Sequence, residues 1–116
     1  MDPARSIKLN SDFRRTYSRG KSAVSPCVVV YCRKNRLGRN RVGFTVSKKI
    51  GKAVVRNKIR RRLREIARLH DARLLQGYDL IFVARGRAAS ADYRRLERDV
   101  LQCFQNLKLF CTEEKT

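Results

Sequence analysis

The stretch KKIGKAVVRNKIRRRLREIAR, residues 48–68, decides both the fold and the surface chemistry of this chain. It holds ten of the 29 Lys and Arg residues and a single acid, Glu65. The spacing predicts a helix from about Val54 to His70 with two opposite stripes. The apolar stripe is Ile59, Leu63, Ile66 and His70, and the opposite stripe is Asn57, Arg61, Arg64 and Arg68. The apolar side predicts packing on a core, whereas a basic face without paired acids repels itself and indicates a polyanionic partner.

The composition of the whole chain agrees with a polyanionic partner. The 116 residues carry a formal net charge of +19, which suits nucleic acid or an anionic membrane surface. No apolar run approaches the roughly 20 residues that span a bilayer, and residues 1–5 lack the apolar core of a secretory signal. We therefore expect a cytoplasmic protein with no membrane partner. The length predicts a single domain over residues 1–116, ordered from about 7 to 110 with frayed ends.

Two strands and a helix are predicted before the basic helix. Asn10, Ser11 and Asp12 offer capping oxygens for a short helix that Gly20 would end. Residues 27–32, CVVVYC, are β-branched and predict a strand. The alternation in residues 42–46, VGFTV, predicts a half-buried strand, which we expect to form a hairpin with the first.

A strand and a long helix are predicted after the basic helix. Residues 78–84, YDLIFVA, are almost continuously apolar and predict an interior strand. Ser90 or Asp92 would cap the final helix, whose core face is formed by Tyr93, Leu96, Val100, Cys103, Phe104 and Leu107. This order predicts an α+β fold, a compact two-layer sandwich. It would combine a mixed sheet of about four strands with three helices in the order α-β-β-(β)-α-β-α.

The residue types used in metal binding and catalysis form no recognisable motif. The cysteines are Cys27, Cys32, Cys103 and Cys111. They contain no Cys-x-x-Cys pair, so we expect buried thiols in a reducing compartment, with a disulfide or a metal site as the alternative. Acids are sparse, with no obvious acid–base pair, and Gly51-Lys52 lacks the rest of a phosphate loop. We expect no catalytic side chain and no metal or cofactor bound by side chains.

Two groups of residues are candidates for binding nucleic acid. Arginines on the exposed helical stripe can each donate two charge-assisted hydrogen bonds to phosphate, unless that stripe is only a soluble basic face. Asn57, disfavoured inside a helix, lies either near the helix start or at a contact. Phe13, Tyr17 and Tyr31 can stack unpaired bases. Alternatively, Phe13 and Tyr17 dock the first helix onto the sheet.

The run VGFTVSKKIGKAVVRNKIRR, residues 42–61, resembles the signature of the bacterial ribonuclease P protein subunit. The resemblance extends from about residue 7 to 110 and includes residues 12–13, 20–22 and 82–85. It implies a left-handed crossover around the basic helix, although such connections are usually right-handed. It also implies two RNA partners and no obligate protein partner. These are a large catalytic RNA, which carries the active site and magnesium ions, and precursor tRNA, whose 5′ leader is removed.

The resemblance assigns a set of residues to each RNA. Those that would face the catalytic RNA are Arg56, Asn57, Lys58, Arg60, Arg61 and Arg64. Those that would bind the leader, in a groove between the first helix and the sheet, are Phe13, Tyr17, Tyr31, Lys48, Lys49 and Arg85. The chain departs from the family pattern twice. Lys58 replaces an arginine and loses its forked geometry. Gly86-Arg87-Ala88 stands where many relatives have a basic residue and a proline, so Arg87 is a candidate to supply the displaced charge.

The implied function is therefore that of a non-catalytic, RNA-binding subunit of a ribonucleoprotein endonuclease. A structural ribosomal protein would share the charge and size, but it would not require the signature in residues 47–61 or an aromatic groove. A DNA-binding module is a weaker alternative, because the sequence has no helix-turn-helix pattern and no dimerisation stripe.

Overall fold

The computed structural model describes residues 6, 7 and 10–111. The helices are α1 (Asn10–Arg19), α2 (Ala53–His70) and α3 (Tyr93–Asn106), and the strands are β1 (Lys21–Val24), β2 (Val28–Lys34), β3 (Arg41–Thr45) and β4 (Tyr78–Ala84). Single 3₁₀ turns occupy Lys48–Ile50, Asp71–Arg73 and Gly86–Ala89. The predicted α+β class, the three helices and the four-stranded mixed sheet are confirmed. The expectation for the chain ends, residues 1–5 and 112–116, lies outside the described residues.

The strand order is β1-β2-β4-β3, which corrects the predicted pairing. β2 is antiparallel to both β1 and β4, whereas β3 is parallel to β4. The expected hairpin between residues 27–32 and 42–46 is therefore wrong. β4 is buried along most of its length and takes the interior position, which leaves the half-buried β3 at the edge. The true hairpin partner of β2 is the four-residue β1, and Ser25 closes that turn by donating its backbone N–H and its Oγ to the carbonyl of Val28.

One face of the sheet carries the core, against which α2 and α3 pack. The core residues contributed by the helices include Ile59, Leu63 and Ile66 from α2 and Leu96, Val100, Cys103 and Phe104 from α3, as predicted. Phe82 of β4 lies at the centre, stacked on Phe44 at 5.3 Å and edge-on to Phe104 at 5.9 Å between ring centroids. His70 is only half-buried, and its Nε2 lies 2.8 Å from Glu97 Oε2 of α3. These contacts hold α2 with its basic side turned away from the core.

Local interactions fix the element boundaries. A Cβ at Gly20 would lie 2.4 Å from the Cys32 carbonyl oxygen and 2.5 Å from that of Thr16, so only glycine fits where α1 ends. Asp92, rather than Ser90, caps α3 by accepting a hydrogen bond from the Arg95 backbone N–H at 2.8 Å. Cys27, Cys32 and Cys103 are buried free thiols, as expected, and burial raises the pKa of each. Cys111 is half-buried.

The other face of the sheet is covered in part by α1, which is held at two points. Arg41 of β3 contacts the buried carboxylate of Asp79 through Nε–Oδ1 at 2.8 Å and Nη2–Oδ2 at 2.7 Å. The same Nη2 reaches Asp12 of α1 at 3.2 Å, so one guanidinium group links α1 to β4. Nearby, Phe13 packs on Gly43, where a Cβ would lie 2.5 Å from its ring. These contacts leave the end of this face beyond Tyr17 uncovered.

Candidate nucleic-acid interface

One flank of α2 presents three arginines at four-residue intervals beside β3. Arg56 Nε donates to the Gly51 carbonyl at 3.1 Å. Arg60 donates to Asn57 Oδ1 at 3.1 Å and makes a longer contact of 3.4 Å with the Val46 carbonyl. The Arg64 guanidinium lies over the Phe44 ring, 5.7 Å from its centroid. Each guanidinium has five N–H donors, so these contacts orient the side chains and leave donors available for phosphate.

The six α2 residues assigned to the catalytic RNA do not all share this flank. Asn57 and Arg61 are exposed on the outermost side of the helix. Lys58 lies two residues from Arg60, which places it about 160° away around the axis. It shares the flank of Arg62, whose Nη1 donates to the Ala91 carbonyl at 3.1 Å. The structure therefore brings Arg56, Arg60 and Arg64 together and turns Lys58 toward the α3 side.

Arg68, the last residue of the stripe formed by Asn57, Arg61, Arg64 and Arg68, is engaged in an ion pair. Arg68 contacts both oxygens of Glu65, with Nη2–Oε2 at 2.7 Å and Nε–Oε1 at 3.1 Å. The hydrogen bond from Arg68 lowers the pKa of the Glu65 carboxyl, so both groups are charged at neutral pH. Arg68, which shares the sequence stripe with Arg61 and Arg64, is thus occupied by the one acid of that stretch.

The second candidate surface is a groove between α1 and the sheet, which we call the tyrosine groove. Tyr17 and Tyr31 meet edge to face, with ring centroids 4.8 Å apart and an interplanar angle of 82°. The Tyr17 hydroxyl lies 3.0 Å from Thr45 Oγ1 of β3, and its side chain is 37% exposed. The tyrosine rings are therefore held in place from two sides while part of their surface faces solvent.

Aliphatic residues missed by sequence reasoning extend the floor of the tyrosine groove. Register places Val24, Val29, Val83 and Thr45 in one row across the outer face of the sheet. Val24 is 61% exposed, so this end of the row is open to solvent. The period-two pattern of β2 already puts Val29 beside Tyr31, but Val24 and Val83 could only be found once the strand pairing was known.

Cations from two loops lie at one end of the tyrosine groove. Because β3 and β4 are parallel, the segments that follow them leave the sheet at the same edge. Lys48 and Lys49 follow β3, Arg85 follows β4, and all three are exposed. Arg85 Nη1 donates to the Ser25 carbonyl at 3.0 Å, which holds it near the β1–β2 turn. The parallel pairing therefore explains why basic residues far apart in sequence share one end of the groove.

Phe13 has a different environment from the two tyrosines. Its ring is half-buried against Gly43 and lies 6.5 Å from the Tyr17 ring at 39°. This contact is the one expected of a residue that docks α1 on the sheet. Its role in leader binding stays a prediction.

The structure gives most acids a structural contact. Asp12 and Asp79 pair with Arg41, and Asp99 Oδ2 accepts the Cys27 backbone N–H at 2.9 Å. Within residues 6, 7 and 10–111, no group of three or more His, Cys, Asp and Glu side chains is arranged to hold a metal ion. No helix in that part of the chain is long and apolar enough to cross a membrane.

Comparisons with known proteins identify the family. The family model for ribonuclease P matches residues 1–108. The chain is 46% identical over 109 residues to the ribonuclease P protein component of Thermoanaerobacter sp. (strain X514), covering 94% of each chain. A mutant RNase P protein from Staphylococcus aureus superposes with a TM-score of 0.88 at 36% identity, covering 95% of this chain and 93% of that one. The RNase P protein from Thermotoga maritima gives 0.77 at 31% identity, covering 84% and 92%. The chain therefore belongs to the ribonuclease P protein family.

Proposed function

We propose that this chain binds the catalytic RNA of ribonuclease P through α2 and the 5′ leader of precursor tRNA through the tyrosine groove. It assists removal of the leader, while the RNA carries the active site and the magnesium ions. The observation that carries this proposal is the presence of two chemically different surfaces on opposite faces of one small domain. A single surface would serve one RNA, whereas two can hold a structured RNA and a single strand at once.

The tyrosine groove has the chemistry that a single strand requires. Unpaired nucleotides expose flat base faces, which stack on aromatic rings without base-specific hydrogen bonds. Tyr17 and Tyr31 supply such rings, and Lys48, Lys49 and Arg85 supply positive charge for the phosphates at the groove end. A paired stem hides its base faces, so the groove would distinguish the leader from the body of the tRNA.

The arginine flank of α2 has the chemistry that a folded RNA backbone requires. A guanidinium group can donate two parallel hydrogen bonds to one phosphate. Arg56, Arg60 and Arg64 occupy successive turns and are already oriented by contacts with Gly51, Val46 and Phe44. Contacts to phosphates fix position and orientation without reading sequence, which suits a subunit that holds its RNA in an active arrangement.

The proposal includes a cytoplasmic location and no obligate protein partner. A structural ribosomal protein remains the second candidate because charge and size suit it equally. The solvent-facing tyrosines favour the first candidate, since a purely structural role does not call for a platform for unpaired bases.

Reconstitution with RNA tests the proposal. The chain freed of RNA should not cleave precursor tRNA. Added to the catalytic RNA and magnesium, it should raise cleavage at low salt and lower the magnesium requirement. Site-specific cleavage by rigorously RNA-free protein would contradict the proposal, and copurification with ribosomal RNA alone would favour the second candidate.

A further inference from the structure

An open cavity of about 680 Å³ lies between the Gly86–Ala89 turn and the start of α3. Its lining includes four arginines, which are Arg87, Arg94, Arg95 and Arg98. Among the other lining residues Asp92 is the single acid. This cavity contains none of the α2 residues assigned to the catalytic RNA and none of the residues assigned to the tyrosine groove.

The positive charge of this cavity is not balanced by the protein. In the described part of the chain, the guanidinium groups of Arg87, Arg94 and Arg98 have no hydrogen-bond or ion-pair partner. Asp92 is occupied as the cap of α3. Like charges gathered without counterions repel one another, so an anion from outside would stabilise the arrangement.

Arg95 adds a donor that lacks an acceptor. Its Nε is buried and lies 3.3 Å from Asp99 Oδ1, close enough for an ion pair but without hydrogen-bond geometry. Asp99 is buried and also accepts the Cys27 backbone N–H, so it holds Arg95 at the wall of the cavity. The rest of the Arg95 side chain is partly exposed and lines the cavity, where an anion would supply acceptor oxygens to its guanidinium group.

The position of these arginines on α3 is also unfavourable for the helix alone. The first turn of α3 contains Arg94 and Arg95 and no acid. The N-terminal end of a helix carries partial positive charge and favours acidic side chains. The Asp92 carboxylate at the N-cap offsets part of this repulsion, and the helix end favours a further anion beside the two cations.

The cavity is continuous with the basic surface of α2. Arg62 of α2 donates to the carbonyl of Ala91, and Ala91 lines the cavity. Lys58 lies one turn earlier on the same flank and is exposed. An RNA seated on α2 would therefore meet these two cations and then the arginines of the cavity.

We infer that this cavity binds a backbone phosphate of the catalytic RNA. The inference rests on the proposed function and adds a further anchoring point to it. In this arrangement Arg87 contributes its charge from the Gly86–Ala89 turn. Lys58 and Arg62 guide the same RNA strand from α2 to the cavity.

A pair of double variants tests the cavity. Arg94→Gln/Arg98→Gln removes two exposed charges from it. Lys34→Gln/Arg36→Gln removes two exposed charges at the opposite end of β4 and serves as the matched control. Affinity for the catalytic RNA is measured against salt concentration. The slope of log affinity against log salt should become shallower by up to about two units in the cavity variant and by less in the control. Equal changes would overturn the inference.

Two further arms separate this inference from the proposed function. If the Arg56→Ala/Arg60→Ala/Arg64→Ala variant loses slope but the cavity variant does not, the proposed function stands and the cavity inference fails. A loss confined to binding of precursor and mature tRNA by the holoenzyme would overturn the assignment to the catalytic RNA.

Inorganic phosphate titrated into the RNA-free chain provides a test without RNA. It should shift the Nε–H resonance of Arg95 in the unaltered chain, more weakly in the cavity variant, and leave that of Arg36 unchanged. No shift of the Arg95 signal in the unaltered chain, or equal shifts of the Arg95 and Arg36 signals, would overturn the inference.

Discussion

Replacing Tyr31 by alanine tests the tyrosine groove. The ring contacts Tyr17 edge to face at 4.8 Å, and both side chains keep part of their surface exposed. Alanine at an aromatic that stacks a base costs about 1–3 kcal/mol, which corresponds to roughly 5- to 150-fold in affinity. We expect a loss of that size for precursor tRNA bound to the reconstituted holoenzyme. Mature tRNA has no leader, so its affinity should change little.

The same substitution also affects folding, so its two effects must be separated. Loss of an edge-to-face aromatic pair costs about 0.5–1.5 kcal/mol beyond area burial. For a domain of 116 residues, each kcal/mol lowers Tm by about 4 °C. Tyr78→Ala is the matched control, because Tyr78 is also half-buried but lies at the start of β4, away from the groove. Equal losses for precursor and mature tRNA that follow Tm in both variants would show that Tyr31 only packs.

Three further predictions concern the other contacts described above. Arg56→Ala/Arg60→Ala/Arg64→Ala should reduce the salt slope of catalytic-RNA binding by up to about three units with the fold retained, as checked by circular dichroism, and an unchanged slope would exclude this flank as the contact. Gly43→Ala should displace Phe13 and α1 and lower Tm, since the new Cβ would lie 2.5 Å from the Phe13 ring; Phe13→Ala in the same chain should restore part of the loss if the clash is the cause. Arg41→Ala should cost about 3–5 kcal/mol in urea unfolding, because it leaves the 1% exposed Asp79 carboxylate with a hydrogen bond from the Asn35 amide but without its cation; Arg41→Ala/Asp79→Asn should recover much of this, and a cost no larger than that of a surface substitution would contradict the role given to the pair.

The helices were predictable from sequence because their signals are local. The stripe of Ile59, Leu63 and Ile66 repeats at helical spacing, so both the burial and the exposed basic side of α2 follow from it. Local sequence signals also limit the N-cap of α3 to Ser90 or Asp92. The hydrogen bond from the Arg95 backbone N–H to the Asp92 side chain identifies Asp92 as the cap.

Strand pairing was not predictable from local pattern. Alternation shows which side of a strand is buried but not which strand lies beside it. The hairpin was assigned to residues 42–46 because they come next in the pattern, whereas β1 has only four residues and gives a weak signal. The floor of the tyrosine groove depends on this pairing, so Val24 and Val83 emerge only from the structure.

The cavity at α3 was missed for another reason. Residues 48–68 hold ten basic residues, whereas Arg94, Arg95 and Arg98 form a smaller cluster that is interspersed with acids in the sequence. The signal was present, because arginines in the first turn of a helix oppose its dipole. That signal becomes specific only when the structure shows Arg87 on the facing turn and, among the described residues, Asp92 as the single acid of the cavity, already engaged as the cap of α3.

Photochemical cross-linking of the assembled holoenzyme tests the central claim most directly. Precursor tRNA carrying a photoreactive uridine in its leader should cross-link to segments that line the tyrosine groove, around Tyr17, Tyr31 and Lys48–Lys49. The catalytic RNA, labelled separately, should cross-link to α2. Leader cross-links to α2, or catalytic-RNA cross-links to the tyrosine groove, would contradict the account of two surfaces with separate partners.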